Sequence, residues 1–381
     1  MTRQTLFAGI LAAFVGFASS FAVVLKGLTA VGASPAQAAS GLMALSVVMG
    51  VCAILLSLWY REPISIAWST PGGALLASSA LPDGGFPVAV GAFLLSGALI
   101  VIAGLWRPLG RAVAAIPSSL ANAMLAGVLL SLCLAPIRAV ALSPGLALPI
   151  IVVWAIVWRF WRLYAVPAAL AVMVLLLAAG GTNTQTVALW SGPVLVMPVW
   201  STSAMIGLGV PLFLVTMASQ NIPGMAVLSA NGYRPPAGTL FQITGLFTLL
   251  SAPFGGHAVN LAAITAALCA GPDAHPDPAK RYWAAVVAGT TYVVFGLLAG
   301  AAISLIAVSP PILIEAIAGL ALLGALGGAL MGAVNAADGR EAALITFLVT
   351  ASGVSFFGIS GAFWGLLAGG AMRALALWRP R

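Results

Sequence analysis

Apolar runs of 15 to 25 residues recur from one end of the chain to the other, separated by isolated charges. A helix needs a run of about that length to cross the roughly 30 Å hydrocarbon layer of a bilayer. Only 6% of the 381 residues are charged and 62% are hydrophobic, where a soluble domain would carry about 25% charged residues. With a mean hydropathy of +1.14, the sequence reads as an all-α polytopic membrane protein whose main partner is the lipid bilayer. The 43 glycines and 24 prolines fit that reading, because membrane helices tolerate both. The alternating strands of an outer-membrane barrel do not occur.

Fourteen crossings are expected, at roughly 5–31, 38–59, 64–81, 86–106, 112–135, 144–158, 163–180, 198–219, 236–253, 256–270, 282–308, 311–334, 340–356 and 358–378. The net charge of +8 does not point to nucleic acid, since the basic residues are scattered singly between apolar runs. They orient the chain instead. With the N-terminus in the cytoplasm, thirteen of the fifteen Lys and Arg residues fall inside and only Lys26 and Arg138 fall outside. Both termini are then cytoplasmic. No cleavable leader is expected, because Met1–Gln4 runs straight into the first span. Cys52, Cys133 and Cys269 stand alone in apolar sequence and read as packing residues, not as metal ligands or a disulfide.

Two short segments break the pattern. One reads "ISIAWSTPGGALL" from Ile64, the other "PFGGHAVNLAAI" from Pro253. Each has an extended start followed by a small-residue helix, and they begin about half a chain length apart. Seven spans per half (1–187 and 188–381) give the halves opposite orientation, the pattern of an inverted-repeat transporter. A broken helix frees backbone N–H groups at its N-terminus, each costing several kcal/mol in lipid unless satisfied. Two such ends meeting at mid-bilayer make a donor-rich pocket suited to an anion. Pro71 suits the first turn of the first half-helix, with Ser69 or Thr70 as its cap.

Polar groups inside the membrane are costly and therefore functional candidates. Gln220 and Asn221, in "TMASQNIPG", offer donors and acceptors together, or simply end the eighth span at Pro223-Gly224. His257 reads as a substrate or proton ligand, or as a cap on the broken span; Asn260 reads as a pocket residue. His275, Asp273 and Asp277 share a proline-rich loop beside Lys280 and Arg281, and read as solvated loop chemistry. Glu315 alone among the seven carboxylates falls near a span, either as an interfacial residue or as a gate or proton group. Lys26 is expected to snorkel to the interface. Gly324, Gly328 and Gly332, and Gly361, Gly365 and Gly369, read as helix-packing stripes. No nucleotide-binding loop, HExxH, CxxCH or paired catalytic carboxylates occurs. No metal or cofactor is therefore expected, an enzyme is disfavoured, and transport would run on an ion or proton gradient.

Five stretches resemble the BenE-type benzoate/proton symporter family: "LWYREPISIAWSTPGGALL", "IPSSLANAMLAG", "PLFLVTMASQNIPGMAVLSANGY", "SAPFGGHAVNLAAITAALCAGPDAHPD" and "FLVTASGVSFFGISGAFWGLLAGG". The match keeps its order over essentially the whole chain and includes polar and proline positions. The resemblance implies a secondary active transporter of the inner membrane that imports benzoate, or a related aromatic carboxylate, with a proton by alternating access. It also implies the fold of nucleobase and sulfate permeases. That fold has two inverted repeats of seven spans, interleaved core and gate domains, and third and tenth spans that are each a strand plus a half-helix. Such proteins often form homodimers. Carried over to this sequence, the substrate site comprises Ser69, Thr70, Pro71, Gly72, Gly73, Gln220, Asn221, His257, Ala258 and Asn260. His257 and Glu315 are the proton-coupling candidates. Nucleobase permeases carry acids in the eighth and tenth spans; the amides and histidine here suit an anionic substrate, which a buried carboxylate would repel. A carrier or channel of the same fold for another anion or a nucleobase is the alternative.

Overall fold

Lipid offers the backbone no hydrogen-bond partner, so a chain this apolar must close its bonds within helices. The computed structural model describes residues 2–18, 20–106, 108, 117–179, 192–262, 264–301, 309–335, 339–354, 356 and 361–377. Arg107, Arg111, Asp338, Arg379 and Arg381, and the ends of several expected spans, lie outside the described residues.

In chain order the helices are α1 (Arg3–Ala18), α2 (Phe21–Ala30), α3 (Pro35–Tyr60), α4 (Thr70–Ala77), α5 (Phe86–Leu105), α6 (Ser118–Cys133), α7 (Ala135–Leu142), α8 (Pro144–Phe160) and α9 (Ala165–Ala179). Then come α10 (Thr202–Ala230), α11 (Ala237–Ser251), α12 (Ile264–Ala270), α13 (Tyr282–Leu297), α14 (Pro311–Val334), α15 (Arg340–Ala351) and α16 (Gly361–Leu377). Seven stretches among the described residues are helical, long and apolar enough to cross a membrane. Large apolar side chains such as Trp59, Leu142 and Met197 face outward, as a lipid-facing surface requires.

Helix ends follow their sequences. Ser34 starts α3 with a reciprocal capping box: its hydroxyl accepts the Gln37 N–H and the Gln37 side chain accepts the Ser34 N–H. The helices pack into two groups that mix both ends of the chain. α1 and α3 pack on α13, α5 on α11, and α2 on α4; α6 packs on α14 and α15, and α15 on α16. The groups meet where α2 lies against α14 and α4 against α6.

Two strands of three residues, β1 (Ile66–Trp68) and β2 (Val259–Leu261), pair antiparallel with Ala67 opposite Asn260. They precede two short helices, α4 and α12, so both broken spans take the expected strand-then-helix form. At the start of the second, Gly255 turns the chain at φ 93°, a left-handed conformation open to glycine at no steric cost.

Four details differ from the sequence reading. The first span is interrupted between α1 and α2. Residues 135–142 form α7 where a loop was expected. The eighth span does not end at Pro223-Gly224: α10 continues to Ala230. A π-helical turn over Met217–Asn221 precedes Pro223, and this wider turn takes up the missing N–H and the ring bulk that would otherwise stop a helix. The glycine stripes divide as well. Gly361, Gly365 and Gly369 lie against α15, where any Cβ would press on its backbone or on Thr346 and Thr350, whereas Gly324 and Gly328 have open space beside them.

Candidate substrate site

The two broken spans are zipped together by backbone and capping bonds. Ser69 follows β1 and caps α4, its hydroxyl accepting the Gly72 N–H at 3.1 Å. The Ser69 N–H donates to the Ala258 carbonyl at 3.0 Å, and the Ala262 N–H donates to the Ser65 carbonyl at 2.9 Å. The Ser69 carbonyl accepts from His257 Nε2 at 2.8 Å. A carbonyl can only accept, so Nε2 carries the hydrogen, and Nδ1 is buried without a hydrogen-bond partner. Thr216 Oγ1, from α10, donates to Ser69 Oγ at 2.8 Å. One serine thus joins three spans.

The amides complete this brace. Asn221 Oδ1 accepts the Leu261 N–H at 2.9 Å, tying the π-turn of α10 to β2. The Asn260 amide is satisfied with its oxygen toward the Ser69 N–H (2.9 Å) and its nitrogen toward the Leu261 carbonyl (2.8 Å). Thr248 Oγ1 of α11 accepts the Val259 N–H at 2.9 Å. Ser69, Asn221, His257 and Asn260 are all fully buried. They supply partners for backbone groups that would otherwise each cost several kcal/mol.

In front of the brace lies a cavity of about 360 Å³, within the range of small-molecule sites. Thr70, Pro71 and Gln220 line it. The other expected substrate residues — Ser69, Gly72, Gly73, Asn221, His257, Ala258 and Asn260 — are not in its lining and form the layer behind. Ser20, Thr265 and Tyr292 add hydroxyls to the wall, while Val15, Trp68, Leu129 and Leu322 make it apolar. Among the described residues, no Asp, Glu, Lys or Arg lines it. α14 contributes Ala321, Leu322, Gly324 and Ala325 to the wall.

Local sequence explains these positions. Trp68 ends β1 pointing into the fold, its Nε1–H donating to Ser20 Oγ at 2.9 Å and its ring 5.4 Å from that of Phe17. Ser20 sits at the break between α1 and α2, where helix-breaking frees a polar residue to face inward. The Tyr292 hydroxyl reaches α1 at Gly16, where any Cβ would collide with it. Gln220 and Asn221 diverge on the π-turn, one toward the cavity and one toward β2. Ser20, Thr265 and Tyr292 were not singled out from the sequence. Their signal was only that each is polar within an apolar span.

The remaining sequence candidates lie elsewhere. Glu315 is on the first turns of α14, away from the cavity lining, and forms an ion pair with Lys26 of α2. Lys26 therefore has a protein partner and does not simply snorkel. His275 accepts the Asp277 N–H at 2.9 Å in a loop held by Arg281, which donates to the carbonyls of Ala270, His275 and Pro276. That loop stays apart from the cavity.

Comparison with known proteins gives a consistent picture. Residues 1–375 match the BenE family, described as benzoate membrane transport protein. The chain is 42% identical over 368 residues to inner membrane protein YdcO of Escherichia coli strain K12, covering 96% of this chain and 94% of that one. It is 33% identical over 364 residues to the benzoate membrane transport protein of Acinetobacter baylyi, covering 95% and 92%. Among solved structures, the transmembrane domain of a cyanobacterial bicarbonate transporter, BicA, superposes with a TM-score of 0.64 at 15% identity, covering 96% of this chain and 97% of that one. At that identity the likeness speaks for the fold alone.

Proposed function

Since the chain belongs to the BenE family of benzoate membrane transport proteins, we propose that it is a secondary carrier. It imports benzoate, or a closely related aromatic carboxylate, together with a proton across the bacterial inner membrane. The observation that carries this reading is the cavity between the broken spans: hydroxyls, an amide and apolar surface line it, with no charged side chain among the described residues of its wall.

Each part of an aromatic acid has a counterpart there. The carboxylate sits at the start of α4, where Thr70 and Gln220 donate to it and the helix dipole favours negative charge. The ring lies on Trp68, Val15 and Leu322, where its burial contributes about 2 kcal/mol. Ser69, Gly72, Gly73, Asn221, His257, Ala258 and Asn260 hold this arrangement from behind. An accompanying proton cancels the substrate charge during crossing. His257, whose Nδ1 is unpartnered, and Glu315 are the proposed proton-coupling groups.

The architecture proposed for the cycle is fourteen spans in two inverted repeats, residues 1–187 and 188–381, with both termini cytoplasmic. α1–α5 and α10–α13 form a core domain and α6–α9 and α14–α16 a gate domain, in line with the two packing groups. Rocking of core against gate exposes the cavity to each side in turn. Pairing through the gate domain makes the protein a homodimer.

Substrate class is tested by thermal unfolding of the purified protein with a panel of ligands, since a ligand that binds only the folded state raises its stability. Benzoate is expected to raise the midpoint at concentrations where bicarbonate, sulfate and uracil do not. A shift with one of those and none with benzoate would move the chain to another substrate of the same fold.

A further inference from the structure

We propose that Lys26 and Glu315 form a latch that shuts one mouth of the cavity and breaks each time that mouth opens. The proposal rests on the alternating-access reading above and adds to it the contact that controls one gate. The two residues are 289 positions apart, and theirs is the ion pair, among the described residues, that joins separate membrane helices; the other, Lys280–Asp277, lies within one loop. Their side chains are 34% and 26% exposed.

Position gives the pair its leverage. Lys26 adjoins Gly27, and a Cβ at Gly27 would run into the Gly73 carbonyl of α4. α2 is therefore seated directly on the half-helix that carries Thr70 and Pro71, and the two move as one body. Glu315 lies on α14, the helix that contributes Ala321, Leu322, Gly324 and Ala325 to the cavity wall. Ser20 to Lys26 and Glu315 to Ala321 are each six residues, about 9 Å along the chain at helical rise. The ion pair thus bridges core and gate about two turns beyond the cavity, at the end that the charge distribution assigns to the outside. Separating the two walls at that end is impossible without parting the charges. A partly desolvated pair holds more strongly than an exposed one, yet its loss to water on opening keeps the cost modest and the step reversible.

The test reads the mouth itself and needs no substrate. Cys52, Cys133 and Cys269 are replaced by alanine and a reporter, Ala325→Cys, is placed on the α14 wall. Labelling by a membrane-impermeant maleimide is timed in right-side-out spheroplasts and in inverted vesicles. Glu315→Gln, nearly isosteric, is expected to raise labelling from outside by about fivefold, the population shift that corresponds to loss of a modest ion pair. Labelling from inside should fall or stay level. The exchange Lys26→Glu with Glu315→Lys should bring outside labelling back toward the parent rate. Unchanged labelling in Glu315→Gln would overturn the latch, as would a charge exchange that labels as fast as the single variant. If labelling responds as expected but the parent protein transports no benzoate, the latch stands and the substrate assignment falls.

Discussion

His257 Nε2 donates to the Ser69 carbonyl at 2.8 Å, joining the turn before β2 to the cap of α4. Through this bond the second broken span holds the residue that sets the start of the first. It also leaves Nδ1 as a buried, unpartnered nitrogen one layer behind Thr70. The histidine is thus a brace and, in the proposed mechanism, also a place for a proton; substitution separates the two roles.

His257→Gln retains a donor for the Ser69 carbonyl but removes the titratable ring. If the ring carries the coupled proton, benzoate should still equilibrate across the membrane but no longer accumulate against its gradient when a pH gradient is imposed. Accumulation equal to the parent would transfer the role to Glu315 or to the substrate's own carboxyl.

Gln220 and Asn221 adjoin in sequence and part in space, one lining the cavity and one bonding β2. Gln220→Ala should raise the KM for benzoate roughly 10-fold or more, the loss of one hydrogen bond to a charged group, with thermal stability little changed. Asn221→Ala should do the reverse, lowering stability by about 1–3 kcal/mol through the orphaned Leu261 N–H. Equal effects on KM from both would contradict this division of roles.

Gly27→Val should unseat α2 from α4. Overpacking at a backbone contact costs about 1–3 kcal/mol, and here it displaces the helix that carries Thr70. Uptake should fall more steeply than the thermal midpoint, measured side by side on the same preparation.

Glu62 lies in the loop after α3. Burial raises its pKa from the ordinary 4.5, opposed by a hydrogen bond from the Arg234 backbone, and its Oε2 has no partner. A carboxyl with a raised folded-state pKa binds more protons folded than unfolded, so its stabilising contribution is present at low pH and is lost as pH rises from 4.5 through the raised value. Glu62→Gln should flatten that part of the stability–pH curve. A profile identical to the parent would show that Glu62 is solvated in the folded protein.

Helix placement was largely legible because lipid imposes one rule on every backbone group: Pro311–Val334 appears where its apolar run begins and ends. The strand-plus-half-helix segments were legible from the glycines and prolines that break them. The extent of α10 was not, because Pro223 normally stops a helix and only the π-turn before it lets the helix continue. Of the site, Thr70, Pro71 and Gln220 reach the cavity, while His257, Asn221 and Asn260 turned out to face backbone groups. Sequence marks a polar residue as needing a partner; it does not say whether that partner is a ligand or a neighbouring strand. Lys26 and Glu315 were each visible as charges at the ends of spans, but their pairing depends on how α2 meets α14, across 289 residues.

The central claim, proton-driven benzoate import, is tested most directly by labelled benzoate uptake into proteoliposomes under an inward proton gradient, against protein-free liposomes that register leakage of neutral benzoic acid. Uptake that depends on protein, saturates and collapses with a protonophore is the expected result. Uptake no greater than in protein-free liposomes, from protein shown to be folded, would contradict the claim.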